Sequence, residues 1–230
     1  IAIAKFMGQY GYKVRDLRDL IIPFALIGVP ILIIMIAQRE TGSALVFLSF
    51  LLVFYRQGMT GYVLGWGVAS IVLFILVIRF SEITLPIGLG NVGSLVSTLL
   101  IHAIAIGVSI AKEKDFRSLV IISLGVLACY GIGLLLNIWI QINFNYIGIA
   151  SLALTAIYLL VQSIKNRKLS YGWIAGFVLF SAVLCQGCDY AFHNILQRHQ
   201  RVRIEVLLGM KDDPHGAGYN VNQSLIAIGS

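Results

Sequence analysis

Between Ser118 and Ile164 the chain runs for 47 residues without a charge. A helix needs roughly 20 apolar residues to cross a bilayer. The run is therefore too long for one crossing and the right length for two. Asn and Gln recur at 137–145, which predicts the break there, with Trp139 and Tyr146 at the headgroup level where aromatic rings gather. Such a stretch has no place in a water-soluble domain. The composition agrees: 59% of residues are hydrophobic and 12% charged, against about 25% charged in soluble domains. Glycine is frequent, at 23 residues, as expected where helices pack closely in lipid.

Extended along the chain, the same reasoning predicts an all-α fold, a polytopic transmembrane helical bundle. Residues 1–9 read as the end of one helix. Seven full spans follow, at 20–37, 42–55, 61–78 and 94–111, two within 118–164, and one at 171–189. The connections then alternate in charge. Those at 10–19, 56–60, 112–117 and 165–170 hold ten Lys and Arg, while the short ones on the other side hold two, Arg39 and Arg79. Basic loops stay on the cytoplasmic side, so 191–230 is expected as a long extracytoplasmic loop near the C-terminal end. A net charge of +7 is also found in nucleic-acid binders. Here the basic residues form short clusters between apolar runs rather than one basic face, so no nucleic-acid partner is expected.

Few residues in the spans can carry chemistry. Cys129, Cys185 and Cys188 sit in apolar context, and no second Cys/His pair gives metal-ligand spacing. They read as packing residues. Glu40, beside Gln38 and Arg39, is either half of a snorkelling pair or the lining of a polar cavity. His102 falls mid-span with no obvious partner in sequence. It reads as a hydrogen-bonded packing residue, with a proton relay as the alternative.

The segment 198–230 is denser. Arg198, Arg201, Arg203 and Lys211 can attract phosphate groups, Arg by bidentate pairing. They can equally form a solvated basic loop beside anionic membrane lipid. Val202, Ile204, Val206, Leu207 and Leu208 interleave with them at mixed periods of 2 and 3.6, which fits helix or strand. Asp212-Asp213-Pro214, then Gly216 and Gly218, is turn chemistry. Adjacent carboxylates raise each other's pKa, which suits a base; two surface acids on a turn is the plainer alternative.

The run Asp213-Pro-His-Gly-Ala-Gly-Tyr219, then Gln223-Ser224 and Ala227-Ile-Gly-Ser230, resembles the DPxGxGYQxxQSxIAIGSGG signature of the SEDS family of cell-wall proteins. Gln200 and Arg203-Ile204 match that family's YQxxRI, with His199 in place of Tyr. Gln38-Arg-Glu-Thr-Gly-Ser-Ala-Leu45 is similar to QPDLGTAL, with Arg39 for Pro and Glu40 for Asp. Gly209-Met210 stands where Asp-Pro is common. The DPxGAGY form is closer to the rod-shape (RodA) branch than to the division (FtsW) branch. The likeness covers 1–80 and 190–230. Residues 81–170 do not resemble the family core and read as an insertion, expected to add four helices. Further family motifs would precede Ile1 and follow Ser230, so a piece of a longer protein is expected. The implied division is a core at 1–80, inserted helices at 81–170, a helix at 171–190 leading out, and a catalytic loop at 191–230.

The resemblance implies a peptidoglycan glycosyltransferase of the bacterial cytoplasmic membrane. It would polymerise lipid II, an undecaprenyl-pyrophosphate-linked disaccharide-peptide, beside a class B penicillin-binding protein. The family's essential Asp falls on Asp213. A carboxylate there could take the proton of the attacking sugar hydroxyl. Arg203 first, then Arg201 and Lys211, could stabilise the leaving pyrophosphate, as could a divalent cation such as Mg or Mn. Gln38, Glu40, Gln200 and Gln223 complete the expected substrate-binding set. Two alternatives stand: a flippase for lipid-linked precursors, which needs polar groups deep in several helices, and a non-catalytic cell-wall scaffold. The topology is tested with single cysteines at Lys114, Arg167 and His215. In intact cells an impermeant thiol reagent should label only the third, and labelling at the Lys114 position would overturn the layout.

Overall fold

The computed structural model describes residues 2–8, 17–34, 46–47, 49–85, 90–140, 142–213, 216 and 218–229. Ten helices account for most of them: α1 (Ala2–Met7), α2 (Leu17–Ile33), α3 (Phe50–Arg56), α4 (Gly61–Arg79), α5 (Val92–Glu113), α6 (Phe116–Asn137), α7 (Phe144–Asn166), α8 (Leu169–Tyr190), α9 (Arg198–Leu207) and α10 (Tyr219–Gly229). Among the described residues, five segments are long and apolar enough to cross a membrane: α4, α5, α6, α7 and Leu169–Ile195, which is α8 with its C-terminal extension. The molecule is thus an all-helical bundle of membrane type. Helices are what lipid demands, because a backbone N–H or C=O left without a partner there costs several kcal/mol.

The chain forms two compact units, 1–69 and 70–230, and the division falls within α4. In the first unit Leu20, Ile27, Phe54 and Met59 are buried together, with Phe24, Val63 and Leu64 packed around them. The Phe24 and Phe54 rings meet edge to face at 5.9 Å, a favoured aromatic geometry. Gln38 and Glu40 lie outside the described residues, as does the first part of the span expected at 42–55.

The second unit is built on α5 to α8. Stretch 81–170 contributes three long helices, α5 to α7, and not the four expected of an insertion. The fourth is α8, which packs against both α5 and α7. A boundary at 170 would cut through the most closely packed pair. At the start of α5 the backbone approaches α4 so closely that a Cβ on Gly93 would lie 2.6 Å from the Val77 carbonyl oxygen. Only glycine fits there.

Two turns meet at one end of this bundle. Glu113, closing α5, pairs with Lys168 before α8 and accepts a hydrogen bond from Ser170. Asp115 caps α6, accepting from the Arg117 and Ser118 backbone N–H groups at 3.1 and 3.3 Å. Its second oxygen accepts from the Ser118 hydroxyl at 2.6 Å and the Tyr171 hydroxyl at 2.8 Å. Lys112, Lys114, Arg117, Lys165, Arg167 and Lys168 therefore gather at one end. The opposite end is amide-rich. Asn91 caps α5 by accepting from Ser94 N at 2.9 Å, Asn143 caps α7, and the Ser94 hydroxyl bonds Asn145 across the two helices. Trp139, in the turn between α6 and α7, is 88% exposed.

The Ser118 hydroxyl above all, then the Tyr171 hydroxyl and the two backbone N–H groups, hold the Asp115 carboxyl below its ordinary value, against the opposing effect of burial. A lowered carboxyl contributes stability that is full above the unfolded value of about 3.9 and is lost as pH falls through the folded value. Asp115→Asn should lower the detergent-solubilised protein's stability at pH 7 by about 1 kcal/mol, as for a lost helix cap. The melting-temperature gap to wild type should shrink towards pH 3; a gap independent of pH would show that the carboxylate is not the stabilising group.

Candidate functional site

Helix α8 does not stop at Tyr190. It runs on as one π-helical turn, Ala191–Ile195, closed by Leu196 N donating to the Ala191 carbonyl at 2.9 Å. The turn leaves carbonyls without helical partners, as every helix end does. Arg201 satisfies them. Its Nε donates to the Phe192 carbonyl at 3.1 Å and its Nη2 to the His193 carbonyl at 2.5 Å. The guanidinium also lies over the Phe192 ring, 5.5 Å from its centroid. Phe192 is fully buried, so these bonds dock α9 onto the end of α8.

Among the described residues, the stretch expected as a long loop holds two helices, α9 and α10. Gln197 and Gln200 form a reciprocal capping box at the start of α9, with Gln197 N donating to Gln200 Oε1 at 3.2 Å. The helix ends on Gly209 at φ +66°. There Gly209 N donates to the Val206 carbonyl and Met210 N to the Glu205 carbonyl, a left-handed ending that favours glycine. This is the physical reason for glycine at position 209.

Helical spacing sorts the cations. Arg198, Arg201, Val202 and Glu205 recur at three and four residues and share one face. With Leu196 and Lys211 they line an open hollow of about 410 Å³. Arg203 lies off this face and is exposed. It stands one turn before Val206, and Val206 packs against the turn that carries Asp213: a Cβ on Gly218 would lie 2.7 Å from the Asp213 carbonyl oxygen and 3.2 Å from Val206 Cγ1. The Asp213 carbonyl accepts from Gly216 N at 3.3 Å and Gly218 N at 2.9 Å. Asp213 is half-buried and Asp212 exposed. A Cβ on Gly216 would fall on the Asp213 carboxylate, so the two glycines let the backbone wrap around this residue. Pro214 and His215 lie outside the described residues. Gln223 is exposed on α10.

The structure therefore divides the expected set. Asp213 belongs to the turn that Val206 packs against, Arg203 is exposed on α9, and Lys211 lines the hollow. Arg201 and Gln200 are engaged in ending α8 and starting α9. Sequence reasoning named Arg198 among the phosphate-attracting cations but passed over Glu205, although its spacing of seven from Arg198 is a helical signal. A divalent cation would need several convergent ligands. Among the described residues no group of three or more His, Cys, Asp or Glu side chains converges.

The polar residues of the spans, expected to be few, are gathered by the fold. Ser97, Thr98, His102, Ser109, Ser118, Ser151, Thr155 and Ser181 are all buried within α5 to α8. No family model, curated protein or solved structure matches the chain.

Arg201 and Arg203 have opposite expected phenotypes. Arg201→Ala removes two hydrogen bonds to carbonyls and should cost about 1–3 kcal/mol, read as faster amide exchange across 191–207. Arg203→Ala should leave exchange unchanged. Equal protection in both variants would mean that Arg201 does not hold α9 in place.

Proposed function

We propose that the protein is a SEDS-type peptidoglycan glycosyltransferase that polymerises lipid II at the outer membrane face, with a class B penicillin-binding protein as partner. The observation that carries this reading is the Asp213–Ser230 motif. It supplies an acid, flanked by the turn glycines that its geometry requires, directly after a helix bearing an exposed Arg. The basic end of the bundle, at 112–117 and 165–168, would face the cytoplasm, and α9 and α10 would lie at the outer surface.

In this mechanism Asp213 is the general base. It accepts the proton of the acceptor sugar hydroxyl as that oxygen attacks the anomeric carbon of the donor, and the bond from that carbon to the pyrophosphate breaks. Negative charge grows on the departing pyrophosphate, and a positioned cation stabilises it. Arg203, exposed on α9, is the cation assigned to this role first, ahead of Lys211. Lys211 and Arg198, across the helix, suit a second anionic group of the substrate or a lipid headgroup. Gln223 of α10 adds a further substrate contact. Arg201 and Gln200 contribute by fixing α9.

A second reading, a transporter of lipid-linked precursors, draws support from the buried polar residues of α5 to α8. The two separate in one assay: purified protein, its penicillin-binding partner and labelled lipid II, read as glycan chains. Asp213→Asn should lose about a hundred- to ten-thousand-fold in rate, the usual worth of a general base, while Asp212→Asn stays within a fewfold of wild type. Full polymer from Asp213→Asn would remove the assignment. No polymer from wild type would favour the transporter or a scaffold.

A further inference from the structure

The last membrane-length segment ends at Ile195. The next residue, Leu196, is already part of the wall of the hollow beside α9. The hollow therefore opens where the chain leaves the apolar layer. Its volume of about 410 Å³ falls in the range of small-molecule pockets, about 300–1,000 Å³. Its wall has two characters: Leu196 and Val202 are apolar, while Arg198, Arg201, Glu205 and Lys211 are charged. Ile195, just before Leu196, is 67% exposed and extends the apolar side.

The three cations reach the hollow by different routes. Arg201 is fixed there, because its Nε and Nη2 donate to the Phe192 and His193 carbonyls. Arg198 stands one helical turn before it on the same face. Lys211 is brought back by the left-handed backbone of Gly209 at φ +66°. Arg198 and Lys211 are exposed, and among the described residues neither has a carboxylate within ion-pair distance. Glu205, half-buried on the Arg198 face, is the one acid of the wall. Three cations around one hollow repel each other, and a single carboxylate offsets only part of that repulsion. An anion held between them would relieve the rest. Arg and Lys both suit phosphate oxygens, Arg through its fork of N–H donors.

We propose that this hollow is a binding site for an anionic glycerophospholipid, whose headgroup is a singly charged phosphate diester bearing hydroxyls. Arg198 and Lys211 donate to the phosphate oxygens, with the fixed charge of Arg201 behind them. The glycerol backbone and the first methylenes lie on Leu196, Val202 and Ile195, continuous with the apolar layer. Glu205 accepts from a headgroup hydroxyl. The same carboxylate repels a second negative charge, so a phosphate monoester is the poorer ligand. A soluble phosphate would use the cations and leave the apolar wall wet. The bound molecule is a resident lipid and not a reacting one, and the site stands whether or not the glycosyltransferase reading does.

The test uses the whole chain in detergent micelles doped with phosphatidylglycerol, phosphatidylcholine or phosphatidic acid of identical acyl chains. Native mass spectrometry counts the lipid retained. Wild type should keep one phosphatidylglycerol and release phosphatidylcholine. Arg198→Gln with Lys211→Gln should weaken retention by about fivefold for each cation, roughly 25-fold together. Arg203→Gln removes a charge from the same helix outside the hollow and should stay within twofold of wild type. Equal retention of phosphatidylglycerol and phosphatidylcholine, or an equal loss in Arg203→Gln, would mean general surface charge and overturn the site. Inorganic phosphate in large excess should leave the lipid bound; displacement would mean a free-phosphate site and overturn the lipid assignment. Glu205→Ala should abolish the preference for phosphatidylglycerol over phosphatidic acid, and an unchanged preference would overturn the role given to Glu205. Amide exchange across 191–207 should match wild type in all three variants, since none removes a bond that docks α9.

Discussion

The pairing of two turns at the basic end governs the second unit. Lipid tails are as apolar as leucine, so burial alone gives helices in a bilayer little reason to associate. Here Glu113 meets Lys168 and Asp115 meets Tyr171, which ties the α5–α6 corner to the α7–α8 corner. With both corners on one level, four helices of 22 or 23 residues end together at the other. That brings Asn91, Asn145 and Asp189 within reach of one another. The amide-rich end is therefore a consequence of the clamp at the opposite end. The clamp also accommodates two unusual residues: Lys114 and Arg167 adopt left-handed backbone at φ 53° and 50°, a conformation that costs non-glycine residues roughly 1–2 kcal/mol.

The path from membrane to site runs through Arg201. A helix leaving a bilayer has carbonyls to satisfy and no further turn to satisfy them. By taking two of these and lying over Phe192, Arg201 makes α9 a continuation of the bundle instead of a tethered segment. The position of Asp213 follows, since Val206 packs against the turn that carries it. What stands near the acid is decided by how α8 ends.

Much of this was legible in the sequence. The long helices fall where charge-free runs have the length of a bilayer, and the break within 118–164 falls at the cluster of Asn residues. Four long helices lie between 92 and 190, where spans were read at 94–111, twice within 118–164 and at 171–189. Other features were hidden for physical reasons. Two helices in 198–229 were missed because α9 is short, and its apolar residues sit between charges at no single period. Gln200 and Arg201 looked like ligands for substrate because their partners are backbone carbonyls and N–H groups, which leave no mark in a sequence. The polar seam was overlooked because each helix contributes only a few hydroxyls. Their meaning arises from register between helices, and register is set by the distant clamp.

The π turn at Ala191–Ile195 makes this part of the chain sensitive to length in a particular way. A π turn is an α turn holding one residue too many. Deleting Asn194 from it would let an ordinary helix close with no loss of apolar surface. Yet every residue beyond would rotate by roughly 100° about the helix axis. Arg201 would then face away from the carbonyls it now serves, and the acid turn would be carried with it. A change invisible to hydropathy would thus disconnect the two halves of the segment, so its length, more than its composition, is what inheritance must preserve here.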